Sequence, residues 1–262
     1  MGKITDALKK AADERMSHLD KMNKIKERDR LIIKMMGESQ VDPSIVTYFD
    51  PKALISEQYK TLRTNILSMN NGKPPRTFVI TSSIYGEGKT VTSLNLAISL
   101  AQSVNNPKVL LIDADMRKGK LARYLGVNQE HGLSDILQET KKPEDVLFHL
   151  DDIKNLAFLG AGQIPENPAE LLAGDYMKAY LSQMRKDFDF VILDTPPIIS
   201  VTDAGIIGPL TEGVLMVIQA GRTQRGIIRR AEELLYQCHT KVIGHVLTNI
   251  EYHLPEYIYR YL

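Results

Sequence analysis

RTFVITSSIYGEGKT, residues 76–90, runs an apolar segment straight into a Gly-rich turn that closes on Gly88, Lys89 and Thr90. Phe78, Val79 and Ile80 read as a buried strand, and Leu94, Leu96, Ala97 and Leu100 give the next segment a helical apolar face. The turn therefore lies between a strand and a helix N-terminus, where unpaired backbone N–H groups and the positive end of the helix dipole attract anionic phosphate. Gly86 and Gly88 let the backbone wrap such a group closely. Lys89 reaches toward the β- and γ-phosphates of a nucleoside triphosphate, and the Thr90 hydroxyl toward Mg²⁺. Ser83, Tyr85, Glu87 and Val91 complete the stretch that would face the nucleotide. In one departure from the eight-residue P-loop pattern, Ser83 stands where the first glycine usually does.

Two further apolar segments end in acid. KVLLIDADMR, residues 108–117, carries Asp113 and Asp115 one residue apart, which period-two geometry points to the same side, and then Arg117. FDFVILDTPP ends at Asp194, in the manner of the carboxylate that positions Mg²⁺ in P-loop NTPases. An aspartate after a strand is commonly only a turn or cap residue. Three of them at the C-terminal ends of parallel strands fall where open α/β sheets bind ligands.

Beyond the turn the pattern alternates. Strands are expected near 76–82, 108–113, 155–160, 189–194, 213–219 and 242–248, with helical stretches between them. The fold class is α/β: a doubly wound, mostly parallel sheet of P-loop NTPase type with right-handed crossovers, preceded by an extra N-terminal helical segment. Three regions are drawn: a charged helical extension over 1–46, the nucleotide domain over 47–250, and a tyrosine-rich tail over 251–262. In the extension, Ile4, Leu8, Ala12, Met16 and Leu19 recur at helical spacing. The basic stretch KMNKIKERDRLIIKMM suits either a solvated helix with i,i+4 charge pairs or contact with anionic lipid or a partner helix. Asp50 and Pro51 read as the N-cap and first residue of a helix over 51–71. Its apolar face is Ile55, Tyr59, Leu62, Ile66 and Met69, with Glu57, Lys60 and Arg63 turned away.

A formal net charge of +1 over 262 residues gives no global bias toward nucleic acid. The single cysteine excludes an intramolecular disulfide and the paired-cysteine chemistry of an iron–sulfur carrier; Cys238 beside His239 reads as a small buried hydrophobe. Met1 to Gln40 is too charged for a signal peptide, no apolar run approaches bilayer length, and Thr5-Asp6 does not complete a myristoylation signal. The expected location is cytoplasmic, at the inner face of a membrane only through another chain.

The P-loop SIYGEGKT, the Walker A′-like DADMR and the Walker B-like VILDTPP resemble those of the bacterial tyrosine kinases, and the similarity continues through SEQYKTLRTNI, HGLSDIL, GQIPENPAELL and PPIISVTDAG. It spans roughly residues 50–250, far more than a P-loop alone. The resemblance implies an ATP- and Mg²⁺-dependent kinase. In it Lys89, Asp113, Asp115 and Asp194 are catalytic, and Thr90, Asp194 and either Asp113 or Asp115 surround the metal. Arg117 and Asn249 join the nucleotide contacts, although an asparagine after a strand is equally a turn former.

The same resemblance gives meaning to the tail EYHLPEYIYRYL, where Tyr252, Tyr257, Tyr259 and Tyr261 fall within the final 11 residues. Taken alone the tail suits an edge strand or an interface patch; in this family such tyrosines are phospho-acceptors presented to the next subunit of a ring. Glu57, Lys60 and Arg63 occupy the ring-forming pattern, with lysine where the family has arginine, which keeps charge but loses planar bidentate geometry. The implied partners are a second copy of the chain, a separate membrane activator of polysaccharide co-polymerase type and a cognate phosphotyrosine phosphatase. The opening MGKITDALKKA is similar to autokinases of exosortase-type exopolysaccharide systems. The competing class is a ParA/MinD-like ATPase switch, whose loop carries an extra lysine where this chain has Ser83, Ile84 and Tyr85.

Overall fold

Six strands form where the apolar runs predict them: β1 (Thr77–Ser82), β2 (Val109–Asp113), β4 (Ile153–Leu159), β5 (Phe190–Asp194), β6 (Val214–Gln219) and β7 (Val242–Thr248). A seventh, β3 (Phe148–Leu150), is added at the edge, antiparallel to β4, and the sheet order is β3-β4-β2-β5-β1-β6-β7. β3 is three residues long and only half-buried, so it lacks the continuous apolar run that marks the interior strands. These positions come from a computed structural model describing residues 40–150 and 152–250. The expected helix of the N-terminal extension and the tyrosine tail lie outside the described residues.

Strands β1, β2 and β5 are buried along their whole length, as expected for parallel strands covered on both faces. On one face Val79, Leu110, Ile112, Val191, Leu193 and Met216 pack against α3 (Asp175–Asp187), α4 (Asp203–Ile207) and α5 (Arg225–Gln237). On the other, Phe78, Ile80, Leu111, Ile192, Leu215 and Val217 pack against α1 (Leu54–Leu67) and α2 (Lys89–Ala101). The alternation of the two sets along each strand is the period-two geometry of a pleated sheet.

Helix α2 follows the P-loop and is buried over nearly all its length, because the sheet covers one side and α1 and the 41–49 segment cover the other. The Asn95 amide fastens that segment: its oxygen accepts from the Thr47 N–H at 3.0 Å and its nitrogen donates to the Ser44 carbonyl at 3.1 Å. Val41, Ile45 and Phe49 are buried, so the core reaches back ahead of residue 47.

Helix α1 departs from its expected form. Val46–Phe49 is itself a helical turn with Asp50 at its C-terminal end, and α1 begins at Leu54 after Ala53. It ends at Leu67, because Asn70 and Asn71 adopt left-handed conformations at φ 51° and 58°. Its inward face is Ser56, Tyr59, Leu62, Arg63 and Ile66, whereas Ile55 is 56% exposed. Arg63, read as pointing away, donates from Nη1 to the Ser99 carbonyl at 2.8 Å. That acceptor lies in the last turn of α2, where unpaired carbonyls favour a cation.

Candidate active site

The turn between β1 and α2 holds its shape through two glycines at positive φ, Gly86 at 85° and Gly88 at 87°. In that left-handed region a side chain would be strained, and Gly88 directly precedes the first residue of α2. Glu87, between them, is buried, and its carboxylate turns away from the cleft. It accepts from the Ile84 N–H at 2.8 Å, the Gln219 N–H at 3.3 Å and the Thr223 hydroxyl. The Glu87 carbonyl accepts from the Thr248 hydroxyl at 2.8 Å, and Arg222 donates to the carbonyls of Tyr85 and Gly86 at 3.2 Å. Carbonyls of the turn are thus engaged by the β6–α5 connection and the end of β7.

Behind Lys89 the ends of β2 and β5 bring the three aspartates together. Lys89 Nζ lies 3.5 Å from Asp115 Oδ2 and 3.5 Å from Asp194 Oδ2. Thr90 Oγ1 donates to Asp194 Oδ2 at 2.6 Å, and Ser93 Oγ, one turn on, is 3.1 Å from Asp194 Oδ1. Asp113 accepts from two backbone N–H groups, Asp115 at 3.1 Å and Leu121 at 3.0 Å. Burial pushes the Asp113 carboxyl up to about 7; the neighbouring Asp194 and Asp115 charges add to the rise, against Lys89 and the Leu121 N–H. Burial also raises Asp194, opposed by Lys89, Thr90 and Ser93. For Lys89, burial favours the neutral amine, but Asp194, Asp115 and Asp113 together overcome it and hold the ammonium above its usual range.

The cleft above this floor is lined by Tyr85, Gly86, Gly88, Lys89, Thr90, Val91 and Asp115 from the expected set, joined by Lys118, Lys120 and Tyr124. Ser83 is buried behind the turn. Asn249 sits at φ 51°, the left-handed conformation of a turn residue, just past β7. Arg117 is not on the cleft lining. Its guanidinium pairs with both oxygens of Asp203 at 3.3 Å, and Asp203 is fully buried at the start of α4. The pair ties the loop after β2 to the segment after β5. Glu57 and Lys60 pair with each other along α1 at 2.7 Å. Cys238 is half-buried rather than buried, packed where a Cβ on Gly205 would come within 2.7 Å of its sulfur.

Sequence reading missed Ser93, Lys118, Lys120, Tyr124, Asp203 and Arg222. Ser93 had a usable signal, because four residues from Lys89 is one helical turn and so one helix face. Arg222 and Lys118 reach the turn from loops, whose paths carry no periodic signal. Among the described residues no three His, Cys, Asp or Glu side chains converge as a complete metal cage, and no helix among them is long and apolar enough to cross a membrane.

Comparison with known proteins agrees with this architecture. Residues 76–231 match the family described as AAA domain. The chain is 37% identical over 209 residues to tyrosine-protein kinase YwqD of Bacillus subtilis, covering 80% of this chain and 87% of that protein. Among solved structures, the chimerical protein CapA2B2 superposes with a TM-score of 0.76 at 29% identity, covering 81% of this chain and 93% of that one. The kinase domain of Escherichia coli tyrosine kinase ETK does so with a TM-score of 0.72 at 28% identity, covering 80% and 83%. A relative this similar over most of both chains, together with kinase domains that share the fold, shows that the chain belongs to the bacterial tyrosine kinase family.

Proposed function

We propose that this chain is a protein-tyrosine autokinase that transfers the γ-phosphoryl group of ATP to tyrosines of its own C-terminal tail, chiefly between copies. The observation that carries the reading is the convergence of Lys89, Thr90, Asp113, Asp115 and Asp194 at one end of the sheet, in a chain related to named tyrosine kinases.

In the reaction the bond between the γ-phosphorus and the oxygen bridging to ADP breaks, and a bond from the phenolic oxygen to that phosphorus forms. The phenolic proton passes to a carboxylate. Asp113 is assigned that role, since a carboxyl held near 7 is partly ionised at neutral pH, increasingly so above it, and is basic enough to accept. Lys89 and the P-loop amides hold the β- and γ-phosphates, and Gly86 and Gly88 allow their close approach. The oxygen donors Thr90 and Asp194, with Asp113 or Asp115, are hard ligands of the kind Mg²⁺ prefers, and Mg²⁺ commonly takes several of its ligands from substrate phosphate and water. When bound, that ion would neutralise charge on the transferring phosphoryl group. Asn249, next to Thr248 at the P-loop, is assigned to the base, and Ser83 and Glu87 to shaping the turn.

Tyr252, Tyr257, Tyr259 and Tyr261 are the acceptors in this reading. Adding charges of about −1.5 to −2 to several of them would repel the tail from an acidic site. Copies meet through α1 in a ring, with Glu57 and Lys60 on the open surface and Arg63 bonding the end of α2. A membrane activator of polysaccharide co-polymerase type would stimulate the kinase at the inner face of the membrane, a phosphotyrosine phosphatase would reset it, and the output would be control of exopolysaccharide or capsule synthesis.

The test is to incubate the purified chain with ATP and Mg²⁺ and map phosphotyrosine by mass spectrometry, beside Lys89→Met. Tail phosphotyrosine that disappears in the variant supports the autokinase. ATP hydrolysis with no phosphotyrosine, even when the activator's cytoplasmic segment is present, would favour a ParA/MinD-like switch.

A further inference from the structure

The loop that leaves β2 reads Arg117-Lys118-Gly119-Lys120, and its three cations have different surroundings. Arg117 turns inward onto Asp203. Lys118 and Lys120 are exposed and line the mouth of the cleft with Tyr85 and Tyr124. Lys118 Nζ lies 4.7 Å from the centre of the Tyr85 ring, and among the described residues neither lysine forms an ion pair. Nearby acids are already engaged: Asp115 and Asp194 by Lys89, Asp113 by two N–H groups, and Glu87 by the turn.

The loop is also fixed relative to the assigned base. The Lys118 N–H donates to Asp115 Oδ1 at 3.0 Å, and the Leu121 N–H donates to Asp113 Oδ2 at 3.0 Å. The backbone between them, which carries both lysines, is held at the carboxylates by each end. A peptide whose tyrosine enters the cleft lined by Lys89 and Asp115 therefore meets two unneutralised cations on the same lining.

The tail has a matching pattern. Its only two acids, Glu251 and Glu256, each stand directly before a tyrosine, Tyr252 and Tyr257, whereas Tyr259 and Tyr261 follow Ile258 and Arg260. In an extended peptide, neighbouring side chains point to opposite sides. A tyrosine aimed at the cleft floor thus presents the preceding carboxylate toward the mouth.

We propose that Lys118 and Lys120 select the acceptor by binding the carboxylate immediately N-terminal to it, so that Tyr252 and Tyr257 of a second copy are phosphorylated ahead of Tyr259 and Tyr261. The inference rests on the tail-acceptor reading above and adds a substrate rule to it: acid–tyrosine pairs in extended segments.

The experiment mixes two full-length chains. The kinase copy carries Phe at Tyr252, Tyr257, Tyr259 and Tyr261; the acceptor copy carries Lys89→Met and its natural tail. Initial rates at each tyrosine are followed by mass spectrometry. Tyr252 and Tyr257 should lead. Glu251→Gln and Glu256→Gln in the acceptor should slow the adjoining tyrosine by about two- to fivefold, the size expected of an exposed ion pair. Lys118→Glu with Lys120→Glu in the kinase copy should slow the natural acceptor and recover rate with an acceptor carrying Glu251→Lys and Glu256→Lys. A lysine that merely supports the fold would not produce that recovery.

Equal rates at all four tyrosines, or indifference to the acceptor glutamates, would overturn the proposal. So would a lysine variant that raises the KM for ATP equally at every tyrosine and leaves the order intact, which would make these lysines nucleotide contacts. If no tail tyrosine is modified by any kinase copy, the tail-acceptor reading itself fails, an outcome distinct from modification without preference.

Discussion

Asp113 and Asp194 are register partners at the last rung of the β2–β5 pair, both buried. Two carboxylates so placed cannot both ionise at low cost with Lys89 as the nearest cation. Burial and the Asp194 charge accordingly push Asp113 up to about 7, and this sets the pH behaviour of the assigned base.

If Asp113 accepts the phenolic proton, only its ionised form is active, so phosphotransfer should rise with pH through a limb near 7. Single-turnover tail phosphorylation measured from pH 5.5 to 8.5 with saturating ATP would show it. A limb centred near the ordinary aspartate value would remove Asp113 from the role.

The same shift enters stability with a defined sign. The folded state holds the Asp113 proton up to about pH 7, whereas the unfolded chain releases it near 3.8. Between those values the unfolded state binds fewer protons, so stability falls as pH rises, by at most about 4 kcal/mol. Asp113→Asn removes that slope. It also turns an amide N–H₂ toward one of the two backbone donors, which offsets about 1–3 kcal/mol of the gain. Urea unfolding should show the variant gaining on the parent chain from pH 4 to pH 7.5 while losing phosphotransfer.

Thr90 supplies a hydroxyl 2.6 Å from Asp194 and lies at the start of α2. Thr90→Ala should lower the transfer rate on the order of a hundredfold, comparable with loss of one preorganised polar group at a site of developing charge. Thr90→Ser, which keeps the oxygen, should stay within about tenfold. A Thr90→Ala chain with undiminished turnover would place the hydroxyl outside the reaction.

The sheet was legible because β1, β2 and β5 are buried on both faces and so read as unbroken Val, Ile, Leu and Phe runs; β3, short and half-buried at an edge, left no such run. Motif spacing found Lys89, Thr90 and the three aspartates because their placement is local, fixed by a turn or a strand end. Arg117 shows the limit. Its position after DAD is plain in the sequence, but its side chain is claimed by Asp203, 86 residues away, and no local pattern encodes that encounter. Arg63 failed in the same way, since the free carbonyl of Ser99 that draws it inward belongs to another helix.

The Arg117–Asp203 pair has its own test. Asp203 is fully buried while Arg117 is about one-third exposed, so removing the cation strands a carboxylate. Arg117→Met should destabilise the chain by roughly 3 kcal/mol, and adding Asp203→Asn should recover part of that loss. Arg117→Lys, which keeps charge without the two-pronged geometry, should fall between the parent and Arg117→Met. Additive losses in urea unfolding would mean that the two residues do not act as a pair.

Glu87 makes the last distinction, between contacting the nucleotide and shaping the turn that does. Its carboxylate accepts from Ile84, Gln219 and Thr223, and all three donors are on this chain. Glu87→Gln loses the charge and faces an N–H₂ toward at least one donor, so about 2–3 kcal/mol of stability should go. Because Ile84 lies within the turn, affinity for ATP should fall in the same variant. Thr223→Val removes one donor and leaves Ile84 held, so it should cost stability with little change in ATP affinity. Urea unfolding and ATP titration on both variants separate the roles. If Glu87→Gln weakens ATP binding with no loss of stability, the carboxylate contacts the nucleotide directly.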